Sequence, residues 1–169
     1  MRTPRMKTLI LALRAALYMT GFVLFFAWLA LRVRIFDRSL KVSLPAGTET
    51  PGAVLMLAGG ILALICAGVF VARGRGTPAL FDAPREFVAI GPYRYCRNPM
   101  YIGGLLLLMG FGLYERSVSI LIMAVVLFGV VHLLVVCYEE PTLRKSFGGP
   151  YQQYCKEVRR WIPKLRPQR

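Results

Sequence analysis

Long stretches of this chain carry no charge, and nothing else in the sequence constrains its fold as strongly. Gly52 to Ala72 is 21 residues without Asp, Glu, Lys or Arg, and Ser117 to Tyr138 is 22 residues interrupted only by His132. Leu9 to Leu31 carries Arg14 as its single charge, leaving the 17 residues from Ala15 to Leu31 charge-free. A helix needs about 20 apolar residues to cross a bilayer, and Arg14 can snorkel to the interface, so each block reads as a span. Hydrophobic residues make up 56% of the chain and the mean hydropathy is +0.54. A soluble globule holds about 45–50%. The excess lies in the charge-free blocks, which is the distribution lipid requires.

A fourth apolar block, Met100 to Tyr114, has 15 residues. It covers only about 22 Å as a helix, short of the roughly 30 Å hydrocarbon core. Glu115-Arg116 separates it from the last block, so the two are expected to form a helical hairpin with one short arm. The expected architecture is all-α: a single membrane domain over 1–169 with about four transmembrane segments near 9–31, 52–72, 100–114 and 117–138. The first block follows Arg2, Arg5 and Lys7 and reads as a retained helix, since it is too long for a signal core and lacks a convincing cleavage site. Asp37 to Pro51 reads as a polar loop. Gly59, Ala63 and Ala67 fall on one stripe of the second span, where small residues let helices approach closely. After the Gly148-Gly149-Pro150 break, an ideal helix puts Tyr151, Tyr154, Cys155, Val158 and Ile162 on one face and Gln153, Lys156, Glu157 and Arg160 on the other. Trp161 borders the apolar face. This predicts an interfacial amphipathic helix ended by Pro163.

Lys and Arg total 22 against 8 acidic residues. Most stand at the ends of apolar blocks, facing lipid head groups, which argues against a nucleic-acid partner. Four spans place both termini on one side. That side holds sixteen basic residues and the other side five. The positive-inside rule therefore puts the termini, 77–99 and 139–165 in the cytoplasm, with 32–51 and the turn near Glu115 outside.

No phosphate-binding loop, nucleophile elbow or metal-ligating His pair is present, and Cys66, Cys96, Cys137 and Cys155 lack metal-ligand spacing. The polar residues at membrane depth stand out instead. His132 and Glu139 are seven residues apart, two turns on nearly one face, and Glu140 lies beside them. Two adjacent carboxylates at a span end need partners, and Arg94, Arg97 and Arg144 are candidates. Each element also has a plain reading: a solvated helix end, a packing histidine, and a helix start at Asn98-Pro99.

Five segments then occur in a known order: Gly91-Pro92-Tyr93-Arg94, Arg97-Asn98-Pro99-Met100-Tyr101-Ile102-Gly103, Glu139-Glu140-Pro141-Thr142-Leu143, Phe147-Gly148 with Tyr151 and Tyr154, and Val158-Arg159-Arg160-Trp161-Ile162-Pro163. Over roughly residues 77–165 the chain resembles the isoprenylcysteine carboxyl methyltransferase and phospholipid methyltransferase superfamily in its short bacterial form. The resemblance implies an integral membrane enzyme of the bacterial inner membrane that uses S-adenosyl-L-methionine, needs no metal and acts on a lipophilic acceptor. It implies catalytic roles for Arg97, Glu139 and Glu140. It implies a cofactor site from Tyr93, Arg97, Asn98, Pro99, Tyr101, Gly103, His132, Glu140, Tyr154 and Trp161, built on the cytoplasmic elements 77–99 and 139–165. Where the eukaryotic carboxyl methyltransferases usually have Arg-His-Pro, this chain has Arg97-Asn98-Pro99, which leaves prenylcysteine in doubt as the acceptor. Two other classes remain open: an NADPH-dependent sterol-reductase-like enzyme, and a non-enzymatic membrane scaffold or transporter subunit.

Overall fold

The computed structural model describes residues 4–74 and 89–164, with side chains over 9–72 and 89–164. Residues 77–88 of the expected cytoplasmic element and 165 at the end of the tail lie outside the described residues. Helix α1 (Pro4–Val33) runs through a 3-10 turn (Arg34–Phe36) into the single helical turn α2 (Asp37–Leu40). Helix α3 (Glu49–Val69) ends in a π-helical turn (Phe70–Gly74), and a 3-10 turn (Gly91–Arg94) precedes α4 (Pro99–Tyr114). Helix α5 (Val118–Leu134) passes through a second π-helical turn (Val135–Glu139) into α6 (Glu140–Glu157). Among the described residues there is no strand.

Three segments are long and apolar enough to cross a membrane: Leu9–Leu40, Glu49–Ala72 and Val118–Glu157. Helix α4 is apolar but shorter, about 24 Å at 1.5 Å per residue. Much of the apolar surface faces outward, including Phe22, Phe25 and Trp28 on α1 and Val125, Val126 and Val130 on α5. For a helix bundle in lipid this costs nothing, because lipid tails are as apolar as leucine; packing between helices then depends on close contact instead.

That contact is supplied by glycine. Helices α3 and α4 share the most extensive interface among the described elements, running antiparallel. A Cβ added at Gly59 would lie 2.5 Å from the Gly103 carbonyl oxygen and 2.7 Å from the Leu107 nitrogen, and one at Gly110 would lie 2.6 Å from the Gly52 oxygen. The expected small-residue stripe is therefore the seam of the bundle at Gly59 and Ala63, with Gly103 and Gly110 opposite. Helix α5 folds back on α4 across a turn closed by Arg116 at φ 53°, where the Ser117 hydroxyl accepts from the Ile120 N–H and the Asp37 carboxylate from the Ser119 N–H at 2.8 Å. Ala30 of α1 packs against Ile120 and Met123 of α5.

Three boundaries differ from the sequence expectation, the first because the helical turn α2 occupies Asp37–Leu40 at the start of the stretch expected as loop. Helix α3 starts at Glu49, within the stretch expected as loop, because Pro51 fits a first helical turn. The tail helix ends at Glu157, not at Pro163: Val158 is extended (φ −113°, ψ 130°). The kink is at Gly148 (φ 55°, ψ −128°), inside the expected Gly-Gly-Pro break. Tyr151, Tyr154 and Val158 do share a face, but they pack on Ala89, Leu143 and Phe147 of the protein itself. Because the helix has stopped, Arg160 does not follow the outer face to which helical periodicity assigned it.

Candidate functional site

The site lies where the ends of α3 and α5, the start of α4 and the tail meet. The 3-10 turn Gly91–Arg94 begins at Gly91, whose φ of 58° suits glycine. It buries Tyr93, whose ring meets Phe70 edge-on at 5.3 Å and whose carbonyl accepts from the Tyr154 hydroxyl at 2.6 Å. Burial raises the Tyr93 phenol far above its ordinary range, and it raises the Cys96 thiol. Both are anchors in their neutral forms.

After Val158 the tail runs back over residues 95–98. The Arg97 N–H donates to the Arg159 carbonyl at 2.9 Å, and the Lys164 N–H donates to the Tyr95 carbonyl at 3.0 Å. Asn98 occupies the N-cap of α4, yet its side chain makes no capping bond there. Its Nδ2 donates instead to the Arg160 carbonyl at 3.2 Å. The Asn98-Pro99 pair thus starts a helix and also holds the tail.

This clamp delivers Arg160 and Trp161 inward. Glu140 is 5% exposed and takes a two-pronged grip from Arg160, with Nε–Oε1 at 2.7 Å and Nη2–Oε2 at 3.0 Å. Arg97 approaches the same carboxylate at 3.1 Å. Hydrogen bonding to Glu140 holds the Arg160 guanidinium above its ordinary pKa. Arg97 also directs Nη1 at the Cys155 sulfur, 2.8 Å away, and its Nε is buried with no hydrogen-bond partner among the described residues. Trp161 donates Nε1–H to His132 Nδ1 at 3.0 Å, and its ring centroid lies 5.0 Å from Phe128 and 6.5 Å from Tyr101. The Tyr101 hydroxyl donates a hydrogen bond to the Glu139 carboxylate. Among the described residues no cation pairs with Glu139.

The structure therefore brings together Arg97, Asn98, Tyr101, His132, Glu139, Glu140 and Trp161. Tyr93 and Tyr154 stand behind them as a buried brace. Pro99 is buried in the first turn of α4. Gly103 is not in the cluster: its Cα faces Gly59 and Ala63 of α3, so the seam accounts for it without a ligand. Of the candidate partners for the carboxylates, Arg97 takes the role, while Arg144 stays exposed. The structure adds Arg160, Cys155 and Phe128 to the neighbours of this cluster. Arg160 stands within the motif segment Val158 to Pro163, but carrying the helix past Glu157 turned it outward. The π-helical turn shifts the phase between His132 and the carboxylates, so an α-helical count of their shared face was too simple. Both His132 and Glu139 still reach the Tyr101–Trp161 pair, through different partners.

The phospholipid methyltransferase family profile matches residues 49–149, more than half of the chain. The chain is 28% identical over 109 residues to the cobalt-zinc-cadmium resistance protein CzcN of Cupriavidus metallidurans, covering 62% of this chain and 50% of that protein. It is 26% identical over 95 residues to the nickel-cobalt-cadmium resistance protein NccN of Alcaligenes xylosoxydans xylosoxydans, covering 54% of this chain and 44% of that one. The chain spans about half the length of the curated relatives it matches. No solved structure matches it.

Proposed function

We propose, from the premise that this chain belongs to the phospholipid methyltransferase family, that it transfers a methyl group from S-adenosylmethionine to a lipophilic acceptor at the membrane interface. The observation that carries this reading is the pairing, among the described residues, of a carboxylate with no cationic partner, Glu139, with a buried and unpartnered guanidinium N–H, Arg97 Nε, beside an aromatic cluster. These are the complements of an ammonium or sulfonium, a carboxylate and an adenine.

The residues fit that cofactor. When bound it supplies an electrophilic methyl on sulfur. Glu139, oriented by Tyr101, would hold its cationic group, and Arg97 Nε–H would donate to its carboxylate. Trp161, Tyr101 and His132 would flank the adenine. Methyl displacement needs nucleophile, carbon and sulfur in line, so these residues act by positioning and by excluding water. Glu140 serves in this scheme as the fastening for Arg160 and hence for the tail. The metal-resistance names belong to proteins of which this chain spans about half, and they are not carried over to it.

The test is incubation of the purified full chain with methyl-labelled S-adenosylmethionine and a membrane lipid extract. A labelled, organic-extractable product is expected from the wild type, and far less of it from Glu139→Gln at limiting S-adenosylmethionine. Label confined to water-soluble products would overturn the lipophilic acceptor, and binding of NADPH in place of S-adenosylmethionine would move the chain to the reductase class.

A further inference from the structure

At the far end of the bundle from this site, the end of α1, helix α2, the strap after it and the α4–α5 turn border an open, cleft-like cavity of about 850 Å³. It is lined by four cations, Arg34, Arg38, Lys41 and Arg116, and by two carboxylates, Asp37 and Glu115. Both carboxylates already have partners: Asp37 caps α5 at the Ser119 N–H, and Glu115 takes Arg34 within the lining. Arg116 donates twice to the Leu44 carbonyl, at 3.0 and 3.1 Å. Among the described residues, Arg38 and Lys41 pair with no carboxylate. Lys41 adopts a left-handed conformation, φ 53°, closing α2 with its N–H on the Asp37 carbonyl. The cavity thus carries two uncommitted positive charges. Beside them, Ile35 and Val42 are 63% and 56% exposed and also line it.

We propose that this cavity binds the phosphate of an anionic phospholipid in the leaflet opposite the candidate active site, with Arg38 and Lys41 on the phosphate and Ile35 and Val42 against the start of the acyl chains. A free anion would use the cations alone and leave the apolar wall wet. A lipid uses both, because at the end of a spanning segment its headgroup and chains meet at the same depth as these side chains. The site is independent of the methyl-transfer reading, since none of its residues belongs to that cluster.

The test uses the full chain in detergent, with bound lipid read by native mass spectrometry after exchange into mixed phosphatidylglycerol and phosphatidylcholine. Wild type should retain phosphatidylglycerol preferentially. Each cation near an anionic surface contributes about fivefold, so Arg38→Gln/Lys41→Gln should lower that preference about 25-fold. The charge-preserving Arg38→Lys/Lys41→Arg should keep it. Lys145→Gln/Lys156→Gln, with the same charge change on exposed positions of α6, should also keep it. No preference in the wild type overturns the proposal, as does retained preference in Arg38→Gln/Lys41→Gln or equal loss in the α6 pair. Displacement of the lipid by millimolar inorganic phosphate would reassign the cavity to a free anion.

Discussion

At the scale of single residues, the two adjacent carboxylates have different partners and should behave differently when changed. Among the described residues Glu139 meets only the Tyr101 hydroxyl, whereas Glu140 is enclosed by Arg97 and Arg160. Glu139→Gln keeps the shape and removes the charge. A hydrogen bond to a charged group is worth roughly 1.5–3 kcal/mol, so S-adenosylmethionine affinity should fall at least about tenfold while stability changes little. Calorimetry in detergent with a thermal unfolding scan checks both halves. Glu140→Gln and Arg160→Gln should instead resemble each other. Each breaks one end of the same fastening and leaves a charged or polar group poorly satisfied, at a cost of about 1–3 kcal/mol. The tail should then be cut faster by protease in both variants, with cofactor binding lost as a consequence. Protection as strong as wild type in Arg160→Gln would dissociate the tail from the fastening. The sequence made Glu140 a candidate for direct contact with the cofactor; the geometry gives it the tail to hold.

Helices test the seam. Gly59→Leu would drive a side chain into the backbone of α4, since its Cβ has Gly103 and Leu107 main-chain atoms within 2.7 Å. Backbone cannot swing aside as a flexible side chain can, so a loss of at least about 1–3 kcal/mol is expected. Gly60→Leu, one residue along, meets only the tip of Leu107 at 3.9 Å and should be tolerated. Unfolding of both variants in mixed micelles compares them directly. The same geometry separates two neighbours in α4. Gly103→Leu would break the seam, whereas at Gly104 nothing lies within 4 Å of an added Cβ. Gly104 is therefore the position at which bulk can be added to probe access of an acceptor from the side without loosening the bundle.

For the whole molecule, the expectation is that a lipophilic acceptor approaches sideways past the short helix α4. In nanodiscs of one composition, turnover should rise with acyl or prenyl chain length, and Gly104→Leu should flatten that rise. Equal turnover of short, water-soluble acceptors would point to the aqueous face instead. Orientation is a second expectation at this scale. By the positive-inside rule, the sixteen-to-five distribution of basic residues would place the tail in the cytoplasm and the 32–51 strap outside. Single cysteines at Ser43 and Lys164 should therefore be labelled by a membrane-impermeant reagent from opposite sides. Labelling of both from one side would leave an odd number of crossings between Ser43 and Lys164 untenable.

How much was legible in the sequence follows from the range of the forces involved. Hydrophobicity is summed along a segment, so the charge-free blocks, the hairpin turn at Glu115 and the small-residue stripe of α3 could all be read before any fold was known. Motif order likewise carried Arg97, Tyr101, Glu139, Glu140 and Trp161 to the same candidate site. Partner choice is not a local quantity. Helical periodicity sent Arg160 outward because it assumes that a helix continues, and only the chain's return over residues 95–98 ends the tail helix at Glu157. Gly103 belonged to a motif on paper and to the α3 seam in space, because close contact between two backbones depends on both helices at once. The sequence by itself determined which segments are apolar enough for lipid and which residues are candidates for the site. Tertiary structure alone decided that Glu140 pairs with Arg160 of the tail, that Glu139 meets a tyrosine hydroxyl and no cation among the described residues, and that Arg38 and Lys41 face a cavity, because charges pair by proximity and proximity is set by the fold.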